Sequence, residues 1–215
     1  MNRTLFALVA LASWGALAVE AEWETVSDKD GILVKNRPRP GASVTEVWAE
    51  TVLNAPVKQL QEALLEINRF KDFMPHMAES RYLGPPLEDG SRHAYTRLNF
   101  PILNDRDYVV RVWVDEGTKP DGSGEFRQRW KAVPDRLPER EGCVRLRIND
   151  GSWHIRPIGD GSKSAVTYKF ATDPGGIIPA FAAAAGNRDA VPDTLRALEK
   201  EARLRLARKV TEAGK

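Results

Sequence analysis

The chain has 215 residues, with 32 Lys and Arg against 30 Asp and Glu and a net charge of +2. This balance argues against a nucleic-acid partner, and no motif of interleaved aromatic and basic residues supports one. The single cysteine, Cys143, excludes an internal disulfide. Its strand-like surroundings, without an adjacent His or Lys, indicate an inert core thiol.

Residues 1–21 have the order of a secretory signal peptide: a basic start, an almost uncharged run over residues 4–18, and then small residues. The run is shorter than the roughly 20 residues that a membrane-spanning helix needs, which favours a cleaved signal over a retained anchor. Cleavage is expected after Ala18 or Ala21. There is no cysteine near these positions, which argues against a lipidated N-terminus. We therefore expect a periplasmic or secreted protein.

Residues 22–212 are long enough for one domain with a sizeable core. Residues 23–35 predict two strands joined by a turn at 28–31, and residues 43–52 predict a third. Asn54 is a candidate N-cap for the helix that follows. That helix has an apolar face at helical spacing, formed by Val57, Leu60, Leu64 and Ile67. A short helix or turn is expected at residues 70–75.

From Ser80 onward the pattern is that of successive strands. The expected strands span residues 92–100, 107–114, 125–133, 144–148, 153–158 and 165–171. Glycine-rich turns at residues 117–124 and 159–162 separate several of them. In residues 125–133, Phe126, Gln128 and Trp130 alternate with Arg127 and Arg129. The sequence therefore predicts a meandering antiparallel sheet with one polar face.

The last helix is expected from Ala180 to about Val210, after a turn at residues 173–179 in which Pro174 and two glycines permit a sharp reversal. Its predicted apolar face consists of Val191, Leu195, Leu198, Ala202 and Leu206. Two ion pairs are expected at i,i+4 spacing, Glu199–Arg203 and Glu201–Arg205. The basic residues Arg203, Arg205, Arg208 and Lys209 could touch an anionic membrane, but stabilisation of the helix dipole is the preferred explanation.

Common catalytic and cofactor motifs are absent from the sequence. His76, His93 and His154 have no metal-ligand spacing, and there is no Gly-x-Ser-x-Gly sequence. The glycine-rich residues 159–164 lack the spacing of a phosphate-binding loop and predict a hairpin turn. We therefore expect neither a metal ion nor a cofactor.

One dense polar cluster lies at residues 104–107. Asp105 and Asp107 fall on the same face of a strand, either as paired carboxylates or as an ordinary solvated strand start. Arg106 would then point to the opposite face with Tyr108, an inward position where a guanidinium is costly unless a carboxylate, a carbonyl or a ligand pairs with it. Val110, Val112 and Val114 continue that inward row. Alternatively, Arg106 lies at the surface in an ordinary ion pair.

Three short motifs in order resemble those of the START lipid-transfer family. They are Arg106-Asp107-Tyr108 at a strand start, Gly151-Ser-Trp153 on a later strand, and the segment from Thr167 to Pro179 before the last helix. Each is weak alone, but their order is specific. The helix-then-strands layout extends the resemblance over nearly all of the predicted domain.

The resemblance implies an α+β helix-grip fold, in which a curved antiparallel sheet wraps around the long C-terminal helix and leaves an internal hydrophobic cavity. It implies that Arg106 faces this cavity, with the entrance at residues 99–105 and the Pro179 end of the helix. Trp113 has the opposite strand parity and would need a bulge to reach the interior. The predicted ligand-binding residues are Arg106, Tyr108, Val110, Val112, Trp130, Tyr168, Ile177, Ile178 and Phe181.

The expected function is non-catalytic binding and transfer of a sterol, phospholipid or fatty-acid-like molecule by a monomer. The partners would be that lipid and, transiently, a membrane surface. The helix-grip superfamily also contains cyclases and hydrolases of aromatic or polyketide substrates, and an enzyme would need an acid or base such as Asp107, His93, His154 or Tyr108. A lipid sensor that signals to a partner protein is a third alternative.

Overall fold

The computed structural model of the protein describes residues 22–39, 44–100, 104–173, 175 and 180–213, with the backbone alone at 180–187. The predicted signal peptide, residues 1–21, lies outside this part of the chain. So do Ile177, Ile178 and the side chain of Phe181, three of the predicted ligand-binding residues.

All ten strands of the described chain belong to one sheet. The strands are β1 (Glu24–Lys29), β2 (Ile32–Pro38), β3 (Thr45–Leu53), β4 (Met77–Tyr82), β5 (Arg92–Leu98), β6 (Asp105–Glu116), β7 (Phe126–Ala132), β8 (Cys143–Arg145), β9 (Asn149–Ile158) and β10 (Lys163–Thr172). The helices are α1 (Val57–Leu65), α2 (Phe70–Phe73) and α3 (Ala180–Ala213), with 3₁₀ turns at Ile67–Arg69 and Pro134–Arg136. This is the predicted α+β helix-grip architecture.

The strand order is β1-β2-β3-β10-β9-β7-β6-β5-β4, so the sheet is not a simple meander. Helices α1 and α2 carry the chain from β3, the third strand from one edge of the sheet, to β4 at the other edge. Instead of the strand expected at residues 144–148, only the short β8 forms, and it pairs with β6 in parallel. The predicted antiparallel sheet is otherwise confirmed, and this short parallel pair is its one exception among the described strands.

The described core lies between the sheet and the C-terminal half of α3. Val191, Leu195, Leu198 and Ala202 are buried as predicted, where α3 contacts α1, β2 and β3. Leu206, expected on the same face, is 37% exposed. At this level α3 meets α1 through ion pairs instead, because Arg205 bonds Glu66 at 2.9 Å and Lys209 bonds Glu62 at 2.5 Å.

These ion pairs also correct the explanation of the basic residues near the end of α3. The last turn of the helix contains no basic residue, so the helix dipole is not what holds Arg205 and Lys209. The predicted Glu201–Arg205 pair forms at 2.9 Å and is buried. Glu199, by contrast, accepts hydrogen bonds from Asn54 and not from Arg203, so Asn54 does not cap α1.

No helix within the described residues combines the length and the apolar character that crossing a membrane requires.

Candidate ligand-binding site

Strand β6 alternates between two buried faces of the sheet. Arg106, Val110 and Val112 are 6%, 5% and 8% exposed and lie on the face that packs towards the helices, together with the half-buried Tyr108. Asp107 lies on the opposite face. The predicted row therefore exists, except that Val114 at its end is 48% exposed.

Arg106 occupies an interior position at the start of β6, opposite Leu98 of β5 and Val144 of β8. Its guanidinium donates to the backbone carbonyl of Asn104 at 2.5 Å. A carbonyl partner is one of the ways in which a buried guanidinium can be stabilised. The alternative of an exposed surface ion pair is wrong, because the residue is buried.

Aromatic side chains from three adjacent strands form a wall on the inner face. Tyr168 of β10 stacks on Trp153 of β9, with parallel rings 3.8 Å apart. Phe170 lies 4.9 Å and Trp130 of β7 lies 6.1 Å from the Tyr168 ring. Trp130 and Tyr168 were predicted here, while Trp153 and Phe170 were missed. Trp153 could have been predicted from the turn at residues 159–162, because a hairpin there pairs Trp153 with Tyr168.

Gly151 permits this wall to form. A Cβ atom added at Gly151 would lie 2.3 Å from Cζ2 of Trp130 and 2.5 Å from the carbonyl oxygen of Lys169. The Trp130 indole therefore lies directly against the backbone of β9, and its Nε1 donates to Asn149 at 3.1 Å. The glycine of the Gly-x-Trp motif is required by this close approach.

The two inner-face tyrosines have raised pKa values. Burial raises the pKa of Tyr168, and the nearby Tyr108 raises it further. Burial also raises the pKa of Tyr108, although a hydrogen bond with Thr96 partly offsets this. Both rings nevertheless keep accessible surface.

The carboxylate of Asp107 lies on the opposite, outer face of β6. It forms a buried, bidentate ion pair with Arg145, with oxygen–nitrogen distances of 2.7 and 3.0 Å. Arg145 also donates to the carbonyl oxygens of Pro134, Leu137 and Pro138. Through these bonds the Arg145 guanidinium holds the loop at residues 134–138 over the outer face. Asp105 also lies on the outer face, where its carboxylate accepts hydrogen bonds from Arg97 and Asn99.

The other acid–base candidates also lie on the outer face. His93 is opposite Arg111, and burial together with the charges of Arg136 and Arg111 lowers its pKa. His154 contacts Glu125 at 2.7 Å. Tyr108 is therefore the one member of the four candidate acid–base residues on the inner face.

Trp113 also lies on the outer face, as its strand parity predicts, with the guanidinium groups of Arg129 and Arg111 at 4.2 and 5.0 Å from its ring. Cys143 lies in β8, and burial raises the pKa of its thiol, which suits an unreactive cysteine.

A curved sheet, a long C-terminal helix and an aromatic inner wall define a helix-grip domain. No family model matches the sequence. An uncharacterized protein of Pseudomonas aeruginosa is 27% identical over 188 residues, which cover 87% of this chain and 90% of that one. The crystal structure of a STAR-related lipid transfer protein from Xanthomonas axonopodis has 30% identity and a TM-score of 0.70, and the match covers 84% of this chain and 98% of that one.

The chain therefore belongs to the STAR-related lipid transfer (START) family. Human STARD10 has the same fold at 16% identity, with a TM-score of 0.71 over 84% of this chain and 72% of that one. The Zhui aromatase/cyclase from Streptomyces matches at 14% identity and a TM-score of 0.52, over 76% of this chain and 96% of that one. The fold thus also occurs in an enzyme, and these two likenesses concern the fold alone.

Proposed function

We propose that the protein binds one hydrophobic lipid against the inner face of the sheet and carries it through an aqueous compartment without altering it covalently. The observation that carries this proposal is the aromatic wall of Trp130, Trp153, Tyr168 and Phe170. Tyr108, Val110 and Val112 extend the same face. Membership of the START family and the Xanthomonas relative support a lipid over other apolar ligands.

Such a site stabilises a lipid because each methylene that leaves water contributes about 0.8 kcal/mol. A long acyl chain or a ring system therefore needs few polar contacts for tight binding. In this proposal residues 1–21 direct export, and the carrier works in the periplasm or outside the cell. Contact with a membrane surface is transient, during loading and release, and the carrier is a monomer.

A second candidate is an enzyme that acts on an aromatic or polyketide substrate, which the aromatase/cyclase fold neighbour favours. Tyr108 would be its acid as the one candidate on the inner face, but burial raises the pKa of its phenol and makes it a weaker proton donor. The outer-face positions of Asp107, His93 and His154 weigh against this candidate, since none of these side chains lies beside an inner-face ligand. Sensing through a partner protein has no comparable support.

The test is to express the full chain in a bacterial host, purify the protein from the periplasmic fraction without detergent, and analyse its organic extract by mass spectrometry. We expect one lipid per protein molecule. Purified protein should also move a fluorescent lipid between donor and acceptor vesicles. An empty extract combined with no transfer of sterol, phospholipid or fatty acid would overturn the proposal. Recovery of the protein in the cytoplasm alone would overturn its localisation.

A further inference from the structure

Three neighbouring strands place hydrogen-bond donors in one row across the inner face. Gln128 of β7 is opposite Trp153 of β9, which is opposite Tyr168 of β10. Gln128 and Trp153 are 5% and 6% exposed. The amide nitrogen Nε2 of Gln128 is buried without a hydrogen-bond partner. Within the described part of the chain, neither the Trp153 indole nor the Tyr168 hydroxyl forms a hydrogen bond.

The buried, unpaired Nε2 of Gln128 needs an explanation. Buried polar groups in proteins are nearly always hydrogen-bonded, because leaving one unpaired costs the free energy of its lost hydration. The inward neighbours of Gln128 along β7 offer it no acceptor. Phe126 is apolar, and the indole nitrogen of Trp130 already donates to Asn149. An acceptor oxygen from a bound molecule would satisfy the row.

The surroundings of the row restrict the charge of that molecule. No inward position on β2, β3, β10, β9 or β7 holds a charged side chain, so five consecutive strands present only apolar, aromatic, hydroxyl or amide groups. Arg106 lies on β6, beyond them, with its guanidinium on the carbonyl of Asn104. A carboxylate or phosphate at the row would be removed from water without an adjacent opposite charge, which is strongly unfavourable.

We infer that Gln128, Trp153 and Tyr168 form a specificity site for an uncharged oxygen of the lipid, such as a hydroxyl, a ketone or an ester carbonyl. This inference rests on the proposed lipid binding and names the chemical class of its ligand. Neutral lipids with one such oxygen are selected over fatty acids, which are ionised at neutral pH. The aromatic wall binds the apolar body, and the row orients it.

The inference can be tested with probes that share one saturated chain and differ only at its end. Dibrominated stearyl alcohol, dibrominated methyl stearate, dibrominated stearic acid and dibrominated octadecane all quench tryptophan fluorescence on contact, and Trp130 and Trp153 lie in the wall. At about pH 8 the acid is ionised. We expect the alcohol and the ester to bind at least about tenfold more tightly than the acid.

Two variants separate the row from general apolar binding. Gln128→Leu removes the amide, and Tyr168→Phe removes only a hydroxyl while keeping the ring stacked on Trp153. Each should weaken binding of the alcohol and the ester by about three- to tenfold, the usual effect of losing one hydrogen bond. Binding of dibrominated octadecane, which has no oxygen for the row to bind, should not weaken in either variant. Gln61→Leu is the matched control, because its amide oxygen accepts from the Thr118 backbone away from the wall.

The outcomes separate this inference from the proposed function. If the acid binds as tightly as the alcohol, or if both variants affect the alcohol and the hydrocarbon equally, the row is not a specificity site although lipid binding stands. If no probe binds, the hydrocarbon included, the proposed function fails and the inference fails with it. Should Gln128→Leu not fold, as judged by thermal unfolding, Tyr168→Phe decides the question.

Discussion

The two faces of the sheet handle polar groups in opposite ways. On the inner face of β2, β3, β10, β9 and β7, polar side chains are uncharged, and buried amide atoms of Asn36 and Gln128 lack hydrogen-bond partners. On the outer face, ion pairs are frequent, from the buried Asp107–Arg145 pair to the exposed Arg129–Asp115 pair. Ion pairs therefore support the scaffold on the outer face, while the inner positions of β2, β3, β10, β9 and β7 are left uncharged for an apolar ligand.

The substitution expected to lower the free energy of unfolding most is on the outer face, at Asp107. Asp107→Ala would leave the buried guanidinium of Arg145 without its carboxylate, in a region that water does not reach. Breaking a buried pair in this way costs about 3–5 kcal/mol. Urea unfolding followed by far-UV circular dichroism measures the loss.

Asp115→Ala is the matched control for Asp107→Ala, because it removes an exposed carboxylate from the same strand. Pairs of that kind contribute about 0–1 kcal/mol. Equal losses in the two variants would contradict the distinction between buried and exposed charge on the outer face. In an Asp107→Ala protein that remains folded, lipid binding should persist, because Asp107 does not lie at the inner wall.

The second variant, Gly151→Ala on the inner face, should lower the free energy of unfolding less than Asp107→Ala does, but it should impair lipid binding more. Gly151→Ala would force the Trp130 ring away from β9, because the new methyl group would lie within 2.5 Å of both the indole and the Lys169 carbonyl. Overpacking of this kind costs about 1–3 kcal/mol. The displaced ring would also narrow the ligand space, so we expect lipid transfer between vesicles to fall more steeply than stability.

Gly117→Ala is the corresponding control. A Cβ atom at Gly117 would meet Oε1 of Gln61 at 3.5 Å, which is ordinary van der Waals contact. Its stability and transfer rate should remain near those of the natural protein. Normal lipid transfer by folded Gly151→Ala would remove Trp130 from the binding wall.

Strand alternation predicted the two faces well. The pattern of residues 125–133 placed Phe126, Gln128 and Trp130 on one side and the arginines on the other, as the structure has them. Parity likewise placed Arg106 inward and Trp113 outward. These successes have a simple cause, because side-chain direction in a strand reverses at each residue and does not depend on distant contacts.

What the sequence did not reveal depends on pairing between distant segments. Arg145 lies 38 residues from Asp107, and only the parallel contact of β8 with β6 brings them together. Leu206 fits the apolar period of α3, yet the facing residues of α1 are acidic and bind Arg205 and Lys209 instead. The unpaired donors of Gln128, Trp153 and Tyr168 could not be predicted either, since a missing partner is visible only when the neighbours are known.

The smallest expected change in unfolding free energy depends on pH, and it also tests the difference between the two faces of the sheet. On the outer face, a hydrogen bond with His154 lowers the pKa of Glu125 below its usual 4.5, with a further contribution from Arg127. A lowered carboxyl pKa stabilises the fold at pH values above the unfolded pKa, and this stabilisation is lost as the pH falls through the lower folded pKa. For a partly exposed pair the contribution is only about 0.2–1 kcal/mol.

The difference in unfolding free energy between the natural protein and Glu125→Gln should therefore be present at neutral pH and disappear as the solution is acidified below 4.5. The corresponding difference for Gln128→Leu should stay constant over the same range, because an amide on an uncharged face does not titrate. Urea unfolding at a series of pH values measures both. A pH-dependent difference for Gln128→Leu would mean that an ionisable group interacts with the inner face, and the division between the two faces would then fail.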